Sequence, residues 1–100
     1  MSRELAGQHV LIVDDIAHNR YLLRMTLANA GCIVHEAGNG REAMDILKKE
    51  PVGLIISDIL MPEMDGYALC RACKEHPEWQ NIPFVFYTAT YTTKEDEAFA

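Results

Sequence analysis

Four residues of the sequence could work together chemically: Asp14 and Asp15, Asp58, and Thr88. Each stands at the end of a short apolar run. Asp14-Asp15 follows HVLIV, Asp58 closes LIIS, and Thr88 closes FVFY. A buried strand has no structural need of a terminal carboxylate, and three carboxylates gathered within a few ångströms would repel one another until one is protonated or a cation is recruited. A hard divalent cation such as Mg²⁺ takes oxygen ligands, usually one or two carboxylates, several waters and a phosphate. Beside such a cation Asp58 can act as an oxygen nucleophile toward phosphorus, giving an aspartyl phosphate. Thr88 can donate its hydroxyl to a phosphoryl oxygen.

The elements that must bring these residues together follow from pattern. Apolar runs predict strands over 9–13, 33–35, 54–57 and 84–87, and helical spacing predicts helices over 19–30, 41–50 and 66–75. Asn39, with Glu42 three residues on, is a candidate cap for the second helix, and Asp65 for the third. The segment KEDEAFA after Thr93 reads as the start of a further helix. Strict alternation of strand and helix with continuous apolar strands defines an α/β fold, an open parallel sheet with helices on both faces, doubly wound and flavodoxin-like. In such a sheet ligands sit beyond the carboxyl ends of the strands. If the first, third and fourth strands are neighbours, all four polar side chains meet on that rim.

Composition bounds the function. One hundred residues, 49% hydrophobic, suffice for one small domain. A net charge of −6 argues against direct contact with nucleic acid. No apolar run approaches the roughly 20 residues of a membrane span, and the first residues lack the apolar core of a signal peptide, so the expected location is cytoplasmic. Cys32, Cys70 and Cys73 are an odd set expected to remain reduced. Cys70 and Cys73 fit a CxxC pattern, but with Leu69 they share one helix face, which favours packing over redox chemistry. His9, His18, His35 and His76 show no metal-ligand spacing and are expected in surface or loop roles. Gly38-Asn39-Gly40 reads as a turn.

Taken together, VDD after the first strand, SDILMPEMDG around the third and FYTAT at the fourth closely resemble the receiver domain of two-component response regulators. The resemblance covers residues 9–93, so that 1–100 is expected to be a single receiver domain. It implies that Asp58 accepts a phosphoryl group from a histidine kinase phosphohistidine in a Mg²⁺-dependent reaction. It further implies that Asp15 and Asp58 ligate Mg²⁺ directly, Asp14 through a bound water, with the Leu60 carbonyl completing the protein's set. Thr88 is then the switch hydroxyl that moves toward the phosphoryl group. Such a domain catalyses only its own phosphorylation and dephosphorylation, as part of a phosphorelay, and is not an enzyme acting on a separate substrate.

Receivers also carry a fifth strand with a lysine, an aromatic switch residue and a fifth helix, and these are expected beyond Ala100. Lys94 does not occupy the family's lysine position. A sheet incomplete at its C-terminal side would leave the fourth strand as an edge open to self-association. FYTATYT is similar to receivers joined to sensor or hybrid histidine kinases, so output or sensor-kinase domains are expected in the parent chain. On the first helix, Leu23, Thr26, Leu27 and Ala30 should face the sheet, with His18, Leu22, Met25 and Asn29 as an adjacent stripe. That second stripe is either the margin of a broad buried face or a docking surface for a histidine kinase or histidine phosphotransfer domain. Two other functions are compatible with the fold. A metal-dependent phosphohydrolase could use the same acids but would need a general acid or base and a substrate cap; a non-phosphorylated binding module would normally lack one of them.

Overall fold

The computed structural model describes residues 6–59, 61 and 64–87. Within them the chain runs β1 (His9–Val13), α1 (Ala17–Asn29), β2 (Ile33–Ala37), α2 (Gly40–Lys49), β3 (Leu54–Asp58), α3 (Gly66–Lys74) and β4 (Phe84–Tyr87). All pairings are parallel, in the order β2-β1-β3-β4. The chain steps one way from β1 to β2, then back across β1 to β3 and on to β4. With right-handed crossovers, this reversal puts α1 on one face of the sheet and α2 and α3 on the other. The doubly wound parallel sheet expected from the sequence is therefore the one observed.

Val10, Leu11, Ile12 and Val13 are fully buried, as a central strand covered on both faces requires. Alternation along β1 sends Leu11 and Val13 toward α2 and α3, where they join Leu47, Ile55, Leu69 and Cys73 in one core. Trp79, in the turns after α3, seals the end of this core and stacks on His76 with ring centroids 3.7 Å apart.

Local signals account for two of the three described helix starts. The Asn39 side chain accepts from the Glu42 amide at 2.9 Å while the Glu42 carboxylate accepts from the Gly38 amide at 2.7 Å, so the glycine-flanked asparagine is a reciprocal helix cap. Asp65 likewise accepts from the Ala68 amide at 2.8 Å. Helix α1 starts two residues earlier than its pattern predicts, at Ala17, behind an Ile16 that offers no side-chain cap. Strand β2 extends two residues beyond the predicted 33–35, because Glu36 and Ala37 stay paired with Ile12 and Val13. Their own side chains carry no such signal.

Two expectations for α1 need correction. Leu23, Leu27 and Ala30 are half-buried, but Thr26 is exposed and its hydroxyl donates to the Leu22 carbonyl at 3.1 Å. The second stripe is not the margin of a buried face: His18, Leu22, Met25 and Asn29 are all exposed. Residues 94–100, expected to begin a helix, lie outside the described residues.

Candidate functional site

Strand β1 runs beside β3 with Val13 opposite Ser57, so the next residues, Asp14 and Asp58, emerge side by side at the carboxyl edge of the sheet. Asp15 follows immediately. One carboxylate oxygen from each of Asp14, Asp15 and Asp58 lies within 4.8 Å of the others. Asp14 and Asp58 are fully buried, whereas Asp15 is exposed. The rim predicted from strand ends is thus assembled for its three acids. Thr88 and Leu60 lie outside the described residues.

Asp14 is fixed at every polar atom. Its amide donates to the Ala37 carbonyl at 3.1 Å and its carbonyl accepts from Arg20 Nη1 at 2.6 Å. Its Oδ1 accepts from the Ile16 amide at 2.8 Å, and its Oδ2 accepts from the Tyr87 hydroxyl. Arg20 therefore approaches the aspartate's backbone and not its carboxylate, and its Nε is held by Glu36 at 3.2 Å. Glu36 in turn binds Arg24 at 2.8 Å.

Asp58 sits where the chain turns sharply toward α3. Its carbonyl accepts from the Ser57 hydroxyl at 2.9 Å, and the Gly66 amide donates to the Ile59 carbonyl at 2.9 Å. A Cβ at Gly66 would stand 2.4 Å from the Asp58 carbonyl oxygen. Glycine at the start of α3 is what allows that helix to press against the back of Asp58.

Tyr87 was legible from sequence only as a strand residue. The register places it opposite Asp58, and it reaches across β3 to Asp14. Burial pushes its phenol well above the usual tyrosine range, and the hydrogen bond to Asp14 and the charges of Asp14 and Asp58 push the same way against Arg20. Tyr87 is therefore a hydrogen-bond donor at neutral pH, holding one Asp14 oxygen in place.

The chemistry of this donor set fits a hard cation. Oxygen ligands on an octahedral ion of Mg²⁺ size are about 3 Å apart when adjacent and about 4 Å apart when opposite. The three aspartate oxygens, within 4.8 Å of one another, gather the carboxylate set that such an ion takes.

The remaining cysteines and histidines stand apart from this rim. Cys73 is buried and Cys70 half-buried; burial, with a smaller push from Cys70, raises the Cys73 thiol to about 11, unlike a reactive redox cysteine. His18 is exposed on α1. The surface or loop role expected for the histidines fails for His9 and His35, which are half-buried strand residues with ring nitrogens 3.0 Å apart. Sequence spacing could not show this, because the two meet across the β1–β2 ladder.

Residues 10–99 match the model of the response regulator receiver domain, and the chain belongs to that family. Receivers are the signalling domains that work with histidine kinases in two-component systems. Among curated proteins, an uncharacterized 14.6 kDa protein of Leptolyngbya boryana is 41% identical over 92 residues, 92% of this chain and 70% of that protein. The probable transcriptional regulator ycf27 of Porphyra purpurea is 35% identical over 82 residues, 82% of this chain but 32% of the regulator. Among solved structures, the signal receiver domain of a signal transduction histidine kinase from Syntrophus aciditrophicus matches with TM-score 0.79 and 39% identity, covering 92% of this chain and 69% of that one. The receiver domain of sensor histidine kinase PA1611 from Pseudomonas aeruginosa PAO1, solved with a magnesium ion in its active site cleft, matches with TM-score 0.78 and 25% identity, covering 92% and 75%.

Proposed function

We propose that this receiver accepts a phosphoryl group on Asp58 from the phosphohistidine of a histidine kinase or histidine phosphotransfer domain, with Mg²⁺ bound at the rim. The observation that carries the reading is the convergence of Asp14, Asp15 and Asp58 at the carboxyl edge of neighbouring central strands. In the transfer, an Asp58 carboxylate oxygen forms the new bond to phosphorus as the phosphorus–nitrogen bond breaks, and the electron pair leaves with the donor imidazole. Asp14, Asp15, Asp58 and the Leu60 carbonyl would hold the ion, which supplies charge screening for the incoming phosphoryl group. Asp14 is kept in one orientation by Ile16 and Tyr87. Thr88 would donate its hydroxyl to a phosphoryl oxygen and thereby favour the activated conformation.

Partner docking is assigned to His18, Leu22 and Met25, exposed on a helix that starts just after Asp14 and Asp15. The domain is read as cytoplasmic. Among the described residues no helix is long and apolar enough to cross a membrane.

Incubation with acetyl phosphate, with and without Mg²⁺, tests the reading against its rivals. Intact-mass analysis should show one added phosphoryl group, dependent on the cation. Continuous release of inorganic phosphate without labelled protein would indicate a phosphohydrolase, and neither label nor release a binding module.

A further inference from the structure

We propose that His9, His35 and Glu50 form a second cation site, for a dication of the Zn²⁺ class that accepts imidazole nitrogen, at the end of the sheet opposite the three aspartates. The motif-bearing residues play no part in it.

The site rests on how three side chains are delivered. His9 opens β1 opposite Ile33, and His35 lies in β2 opposite Leu11, so the two histidines are diagonal neighbours on one face of the sheet. Their rings are inclined by only 13°, with centroids 5.3 Å apart, and His9 Nδ1 lies 3.0 Å from His35 Nε2. Glu50 is the C-cap of α2, its amide bound to the Ile46 carbonyl at 2.8 Å and its carbonyl to the Val52 amide at 2.9 Å. The Gly53 amide donates to the His9 carbonyl at 2.8 Å, which ties this turn to the start of β1. One ligand atom from each of the three residues lies within 4.8 Å of the other two.

The spacing of the two imidazole nitrogens suits a metal. Two nitrogens bound at about 2.0–2.1 Å and subtending a right to tetrahedral angle stand about 2.9–3.4 Å apart. The His9–His35 separation falls inside that range. In the hydrogen-bonded pair one ring donates and the other accepts. Binding needs each ring to turn by roughly 40°, from pointing at the other nitrogen to pointing at the ion, and the shared proton to shift to the donor ring's other nitrogen, with no net proton released. Both rings then present lone pairs, and Glu50, exposed to solvent, contributes an oxygen beside positions open to water. Two imidazoles and one carboxylate select zinc, cobalt or nickel over magnesium, whereas an all-oxygen rim selects the reverse. The bound ion would clamp β1, β2 and the end of α2 together.

The test is calorimetric titration of the whole chain with Zn²⁺ in excess Mg²⁺, with ¹⁵N spectra of the histidine rings. One equivalent should bind, shift the His9 and His35 ring signals and raise the melting temperature. His35→Gln and Glu50→Gln should each weaken binding, the former by about tenfold or more, with amide spectra confirming the fold. Glu50→Gln, at an exposed position, decides the matter if His35→Gln does not fold. Asp58→Asn and Cys70→Ser should leave zinc affinity unchanged. Failure to bind zinc, affinity indifferent to the histidine and glutamate changes, or affinity lost with Asp58→Asn or Cys70→Ser would overturn the proposal.

Discussion

Helix α2 has an asparagine cap, a glutamate in its first turn, lysines in its last turn, and Ala43 and Leu47 buried in the core. Helix α1, on the other face of the same sheet, has no side-chain cap, no acid in its first turn, no base in its last and no buried residue. Instead it exposes Tyr21, Leu22 and Met25. Everything that favours helix in α2 is local or packed, while α1 lays the half-buried Leu23 and Leu27 against the sheet and is tied at its start to the acidic rim. The Ile16 amide binds Asp14, and Arg20 links the Asp14 carbonyl to Glu36. The difference suggests a division of labour: α2 stabilises the sheet, and α1 presents an apolar surface whose position depends on the site.

Three changes put that division at risk. Leu47→Ala removes a buried side chain from the α2 face and should lower unfolding free energy by about 2–5 kcal/mol in urea titrations. Asn39→Ala, which deletes only the cap, should cost about 1 kcal/mol by the same measurement. Leu22→Ala combined with Met25→Ala should change stability by no more than about 1 kcal/mol, because both residues are about half exposed, at 51% and 47%. That pair should nevertheless slow phosphotransfer from a histidine kinase while leaving labelling by acetyl phosphate unchanged. A stability loss from the α1 pair as large as that from Leu47→Ala would erase the contrast between the helices. Equal slowing with acetyl phosphate would move the α1 surface from docking to chemistry.

How much of this was legible depended on whether the signal was local. The strands announced themselves as continuous apolar runs, and the three acids could be assigned to one rim because strand ends in a parallel sheet share an edge. Asn39 and Asp65 were readable as caps because capping is decided within four residues. Tyr87 was not readable as a partner of Asp14, since that contact depends on the β3–β4 register and on a reach across a strand. The meeting of His9 with His35 failed to show for the same reason, being set by the β1–β2 register. Gly66 was legible only as the first residue of the third helix, whereas its close approach to the Asp58 carbonyl is a tertiary fact. For α1, helical periodicity gave the helix and two candidate stripes but could not distinguish a wide buried face from an exposed apolar one; burial of the real side chains decided it.

The most direct test of the central claim is to locate the phosphoryl group by peptide mass mapping after acetyl phosphate treatment, with Mg²⁺ and then with the cation chelated. Label is expected on Asp58 alone, lost on chelation and absent in Asp58→Asn. Label on Asp14 or Asp15, or undiminished labelling of Asp58→Asn, would contradict it.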